Sequence, residues 1–321
     1  RGRHMGARAR RARVLGPQRR SGAVPVKDAR SQDRPLSTRE ILQRHGLRAK
    51  KSWGQNFLVD ARVQERIVAA AALGRDDVVV EIGAGLGALT RRLVAQAGQT
   101  IAIEHDGELA SLLEQELGPS ARLRIERADA LGFDFAQAAR AAGRPLVVVG
   151  NLPYQITSPL LFAITDAAAG GQVIDRAILM VQKEFALRML APPGTKVYGR
   201  LSVMVQQQAE GEILFHVGPG AFHPRPAVTS TVLRLRPRRT PLAPVRDPAQ
   251  FARVVKQAFA ARRKMLRRAL EPLGGTDAAG RALEQAGIEG TRRAEELSVA
   301  EFARLADAFG PLLAENSAPE E

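Results

Sequence analysis

The chain has 321 residues, 45% of them hydrophobic, and a net charge of +15. That length and apolar content allow a real core and one to three domains. There is no cysteine, which excludes disulfides and thiolate metal sites; the five histidines lack ligand spacing, and no apolar run approaches the roughly 20 residues that span a bilayer.

Residues 1–34 carry eleven Lys/Arg against Asp28 and Asp33, which is +9 of the total. Rich in Arg, Ala, Gly and Pro, this head is expected to be disordered and to attract phosphates without sequence preference. It also fits an organellar transit segment or an appended, non-native one. Next comes Lys50-Lys51-Ser52-Trp53-Gly54-Gln55-Asn56-Phe57-Leu58-Val59-Asp60, ahead of a helix starting at Asp60. Two readings are open. Either Phe57 and Leu58 are core staples and the lysines a solvated face, or the segment is a lid over a pocket with Lys50 and Lys51 toward phosphate.

From Asp76 apolar strands alternate with helical segments: Val78 to Ile82, Thr100 to Glu104, Leu123 to Arg127, Leu146 to Gly150 and Ala177 to Gln182. The first four recur at about 22–23 residues, the pitch of a βα unit with a short helix. Leu89 and Leu93 share one helical face, and Leu109, Leu112 and Leu113 another. Near-continuous β-branched runs predict strands buried on both faces. The fold class is therefore α/β, a doubly wound, mostly parallel, Rossmann-like sheet.

Glu81-Ile82-Gly83-Ala84-Gly85-Leu86-Gly87 follows the first strand and opens a helix. Gly83 and Gly85 let the backbone bend and a ligand approach. Gly83, Gly85 and Ala88 also satisfy the loose dinucleotide pattern, and Glu104 can hold the ribose of either cofactor. Two features favour S-adenosyl-L-methionine. Glu81 welcomes a cationic cofactor and repels a pyrophosphate, and the Asp129 carboxylate can accept from an adenine amine.

Asn151-Leu152-Pro153-Tyr154 ends the fourth strand. It offers a side-chain carbonyl, backbone carbonyls that Pro153 keeps facing outward, and an aromatic plate, parts that can hold a flat aromatic amine. Asn and Pro also make ordinary turns.

Further on, Arg200 to Glu210 reads as a helix, and Ile213 to Val217 and Thr229 to Arg236 as an antiparallel edge hairpin. Pro237 to Pro248 reads as a linker. Beyond it Phe251, Val254, Val255, Ala258 and Phe259 share a helical face, and a second helix ends near Ala286-Gly287. A third opens with the capping box Ser298 to Glu301. The predicted organisation is a head (1–34), an α/β domain (35–240), a small all-helical domain (241–315) and a tail (316–321). Arg262, Arg263, Lys264, Arg267 and Arg268 form a basic stripe suited to RNA backbone.

Several of these stretches, in order over about residues 45 to 310, resemble one family: the ribosomal RNA adenine N6-dimethyltransferases, nearest their small-subunit (16S) branch. They are Gln55 to Leu58, Glu81 to Thr90, Glu104, Asp129 to Leu131, Asn151 to Tyr154, Lys183-Glu184, Tyr198 to Val203, Phe222-x-Pro224-x-Pro226, Phe259 to Leu266 and Arg293 to Leu297. Ala84, Gln155 and Thr229 depart from the usual Pro, Asn and Asp.

The resemblance implies that Asn56, Leu58, Gly83, Glu104, Asp129 and Asn151 contact S-adenosyl-L-methionine, Leu58 through its backbone. It implies that Asn151, Leu152 and Tyr154 line the target-base side, with Phe222 as a second stacking plate. The implied substrate is two adjacent adenosines near the 3′ end of small-subunit rRNA. The implied partner is the immature 30S subunit; separately, the lack of cysteine is compatible with a reducing cytoplasm, and a monomer is the default expectation. Alternatives are a large-subunit rRNA methyltransferase of the macrolide-resistance type, a ribosome-assembly checkpoint factor, and a DNA-binding relative.

Overall fold

The computed structural model describes residues 38–46, 49–50, 55–153, 156–167 and 173–315. The head 1–34, the tail 316–321, Lys51 and Tyr154 lie outside the described residues, and so do the expectations placed on them. In chain order the elements are α1 (Thr38–Arg44), β1 (Phe57–Leu58), α2 (Ala61–Ala71), β2 (Val78–Ile82), α3 (Thr90–Gln96), β3 (Gln99–Glu104) and α4 (Gly107–Leu117). Then follow β4 (Leu123–Arg127), α5 (Phe135–Ala142), β5 (Leu146–Asn151), α6 (Thr157–Ala167), β6 (Ile174–Gln182), α7 (Lys183–Met189), α8 (Arg200–Gln208) and β7 (Ala209–Val217). The last are β8 (Phe222–His223), β9 (Ser230–Pro237), α9 (Pro248–Ala260), α10 (Leu266–Ala269), α11 (Gly275–Gln285) and α12 (Val299–Glu315).

Among the described residues the main sheet has seven strands in the order β4-β3-β2-β5-β6-β9-β7. It is parallel from β4 to β6, and β9 and β7 pair antiparallel at one edge. Every residue of β2 is buried, as are Leu146 to Gly150 of β5. Alternate side chains enter different layers. Val78, Val80 and Ile82 pack with Leu160 and Ile164, whereas Val79 packs with Ile67 and Leu93. Covering both faces is why these strands are runs of Val and Ile, each worth about 1.5–3 kcal/mol when fully buried.

Short polar caps fix where the helices begin. Asp60 accepts from the amides of Arg62 and Val63 at the start of α2, and Asp106 accepts from Glu108 at the start of α4. The chain runs from β2 to β3 and β4 on one side, then returns to β5 on the other. That reversal is the topological switch point, where a doubly wound sheet opens a crevice at the carboxyl ends of its strands.

The observed elements differ from the expected ones in a few places. The helix from Arg200 stops at Gln208, because Ala209 and Glu210 pair with Pro237 and Arg236 and so belong to β7. Leu89 precedes the first turn of α3 rather than lying within it, although it is buried with Leu93. Phe222 and His223 form β8, which pairs with Leu58 and Phe57 of β1 in a separate two-stranded sheet.

The helical end, α9 to α12, packs around Phe251, Val254, Phe302 and Phe309, and the same core takes in Ala191, Tyr198 and Val203. Ser298 and Glu301 cap α12 reciprocally, as their spacing predicts. Among the described residues no helix is long and apolar enough to cross a membrane.

Candidate functional site

At the switch point the chain leaves β2 through two glycines in left-handed conformations, Gly83 (φ +72°) and Gly85 (φ +54°). Side chains rarely adopt such angles, so glycine lets the loop fold back over the strand ends. The amides of Gly83 and Ala84 donate to the Ile103 carbonyl at 2.9 and 3.1 Å. Glu104 holds the loop from β3: its Oε2 accepts from the Gly85 amide at 2.7 Å and its Oε1 from the Asp106 amide at 2.8 Å. Burial raises the Glu104 pKa, and those two amides oppose the rise.

Opposite this loop, β5 ends in Asn151-Leu152-Pro153. The Asn151 Nδ2 donates to the Asn56 carbonyl at 3.3 Å, which orients the amide and leaves its oxygen as the open end. The Leu152 amide donates to Met180 at 3.0 Å. The expectation that Pro153 presents its carbonyl outward is corrected: that oxygen accepts from the Ile156 amide at 3.2 Å and the Thr157 hydroxyl at 2.9 Å, starting α6. The Leu58 carbonyl is also occupied, accepting from Gln64 at 2.9 Å.

Between these walls lies a cleft of about 460 Å³. Asn56, Leu58, Glu81, Gly83, Gly85, Glu104, Asp129, Asn151, Leu152 and Pro153 all line it. Glu81 is 2% exposed and its Oε2 has no hydrogen-bond partner. Burial, with a smaller contribution from Glu104, lifts its pKa to about 8; the Thr90 end of α3 pulls the other way. Such a carboxyl favours a cationic neighbour. Asp129, which lines the cleft, accepts from the Leu131 amide on Oδ1 at 3.0 Å. Thr38, Gln55, His105, Leu109 and Ile156 line the cleft too, none of them among the site residues expected from sequence. His105 and Ile156 each lie beside a strand end already singled out, which was a usable signal. The position of Thr38 depends on packing far along the chain.

Phe222 stands apart and needs correction. It is 2% exposed, packed with Leu58, Val217 and Val232, and does not line the cleft. Pairing of β8 with β1 turns its ring into the core, so an exposed stacking plate is not what it forms.

The basic residues also divide. The Lys50 ammonium lies 2.7 Å from Asp106, which also accepts from Gln55. These contacts tie the segment before β1 to α4. Arg262, Arg263 and Lys264 occupy a turn between α9 and α10, not a helix face. Arg262 is exposed but tied to its neighbours, 2.7 Å from Glu295 and hydrogen-bonded to the carbonyls of Lys196 and Tyr198. Arg268 meets Glu271 at 3.0 Å. Arg263, Lys264 and Arg267 are exposed.

Comparison with known proteins agrees with this geometry. The ribosomal RNA small subunit methyltransferase A of Myxococcus xanthus is 44% identical over 289 residues, covering 89% of this chain and 99% of that protein. A Plasmodium falciparum dimethyladenosine transferase structure superposes with a TM-score of 0.63 at 25% identity, covering 77% of this chain and 94% of that one. The 23S rRNA methyltransferase ErmE superposes with a TM-score of 0.60 at 29% identity, covering 79% and 99%. The sequence model of the ribosomal RNA adenine dimethylases matches residues 46–310. This chain therefore belongs to the ribosomal RNA adenine dimethylase family.

Proposed function

We propose that the chain transfers methyl groups from S-adenosyl-L-methionine to the N6 nitrogens of two adjacent adenosines near the 3′ end of small-subunit (16S) rRNA. It does so as a cytoplasmic monomer acting on the immature subunit. The reading rests on one observation above others: the open oxygen of Asn151 and the Gly83 loop meet in a single cleft.

The lining suits that cofactor. The cleft volume falls in the range of small-molecule sites. The unpartnered Glu81 oxygen fits a ligand carrying positive charge, and the Asp129 carboxylate fits an amine. Bound S-adenosyl-L-methionine supplies a methyl group already activated on a sulfonium. The protein is left to orient the acceptor. Adenine N6 has its lone pair delocalised into the ring. Acceptance of its two N–H bonds by Asn151 Oδ1 and the Leu152 carbonyl favours a pyramidal nitrogen, with the lone pair aimed along the transfer line. Orientation of this kind is worth about 7–11 kcal/mol in the best model systems. The N6 proton becomes acidic as the new N–C bond forms, so it passes to water without a dedicated base. An unstacked adenosine reaches such a cleft most readily from a hairpin loop. Tyr154 would offset the loss of stacking, at about 1–3 kcal/mol per base.

The large-subunit reading is weaker: 44% identity to a small-subunit enzyme stands against 29% to the 23S enzyme. A checkpoint role in subunit assembly is compatible with the enzyme and is not a rival. Incubation with labelled S-adenosyl-L-methionine and either immature small subunits or protein-free large-subunit RNA separates the two substrates. Label in the small subunit alone is expected. Label in the large-subunit RNA alone would overturn the choice.

A further inference from the structure

Helix α1 lies before residue 46, where the family match begins, yet it reaches the cleft. Thr38, its first residue, is 6% exposed and lines the cleft together with Gly85, Leu86 and Leu109. Two apolar residues of the next turn, Ile41 and Leu42, are buried against Phe57, Leu86, Leu109 and Leu112. Phe57 in turn touches the loop: a Cβ at Gly85 would stand 3.7 Å from its ring. A polar pin closes the other end. The His45 Nε2 lies 3.1 Å from Glu116 of α4, and Arg44 lies 3.8 Å from the same carboxylate. One short helix is thus clamped to α4 and to the loop after β2 by separate apolar and polar contacts, with one hydroxyl left on the cleft wall.

We propose that α1 is part of the cofactor site: Thr38 offers its hydroxyl to a bound nucleoside–amino acid cofactor, and Ile41 and Leu42 hold the helix against the cleft so that the cofactor leaves slowly. The inference rests on the cofactor assigned above. A hydroxyl both donates and accepts, so it suits the hydroxyl, carboxylate or ammonium groups of that ligand class. The apolar pair supplies most of the adhesion, because the Glu116 contacts lie near solvent, where ion pairs contribute little.

The test uses the full chain and S-adenosylhomocysteine as the probe, followed by calorimetry, stopped-flow dissociation and amide hydrogen exchange. Binding by the parent protein comes first; no binding there would defeat both the cofactor assignment and this proposal. Given binding, Thr38→Val is expected to speed dissociation about fivefold, the effect of one hydrogen bond, while Thr38→Ser stays near the parent. The double variant I41A/L42A is expected to speed it about tenfold or more, with the main unfolding transition retained. The probe should also slow exchange in residues 39–45 of the parent. Unchanged dissociation in both variants and unchanged exchange would overturn the proposal. Faster release in the double variant alone would overturn the Thr38 contact.

Discussion

Glu81 sits on β2, between β3 and β5, with one oxygen unpartnered, and burial raises its pKa from 4.5 to about 8. The unfolded chain therefore loses this proton first as pH rises. Its contribution to stability is full below about pH 4.5 and declines as pH rises through about 8. The slope over that window approaches 1.4 kcal/mol per pH unit, on the order expected for one proton. Denaturant melts of ligand-free Glu81→Gln should lack the decline; an unchanged pH profile would show that Glu81 is ionised throughout. A cation beside the carboxyl favours its ionised form, so cofactor binding near pH 7 should release a proton. Calorimetry in two buffers of different ionisation enthalpy reads that release. Asn151 makes the complementary prediction for the acceptor side. Asn151→Ala removes an acceptor that matters most as N6 becomes pyramidal, so methyl transfer should fall by about 10²–10³ in kcat. A fall of less than tenfold would remove Asn151 from that role.

The elements differ in how legible they were from sequence. The inner parallel strands were plain because burial on both faces demands unbroken runs such as Val78-Val79-Val80 and Val147-Val148-Val149, whereas the edge strand β4 is only partly covered and not buried on both faces as expected. The Gly83 and Asn151 segments were plain because each follows such a run. The pairing of β1 with β8 was not, since two residues carry no period; hence Phe222 reads as exposed when it is core. The turn after α9 was misjudged for another reason. Arg262 finds its partners at Lys196, Tyr198 and Glu295, 66, 64 and 33 residues away, and nothing local announces them. This contrast yields a prediction. Arg262→Ala should destabilise the protein by about 1.5–3 kcal/mol, the scale of hydrogen bonds to a charged group. Arg263→Ala should leave the melt unchanged. At the start of α12, Arg292 and the Ser298 cap hold the Glu301 pKa down from 4.5 to about 2 despite its partial burial. Stability from this cluster is present above about pH 4.5 and is lost as pH falls toward 2, a loss that Glu301→Gln should abolish in acid melts.

At the scale of the whole molecule the charge is uneven. Residues 35–321 carry 37 basic and 31 acidic residues, so the excess outside the head is modest. At the helical end Arg263, Lys264 and Arg267 place three exposed positive charges close together in the chain. If these meet rRNA backbone, Arg263→Ala should weaken RNA binding across sequences and reduce the slope of log affinity against log salt by about 1. An unchanged slope would move the docking surface elsewhere. The cleft and this basic turn have different tasks in the account: the turn brings the subunit near, and Asn151 with the Gly83 loop decides which atom is methylated. Mass mapping of nucleosides tests that division most directly, after immature small subunits react with the protein and S-adenosyl-L-methionine. The account predicts N6,N6-dimethyladenosine at two neighbouring positions near the 3′ end of the small-subunit RNA. Methylation at a ring nitrogen, on another base, or only in large-subunit RNA would contradict it.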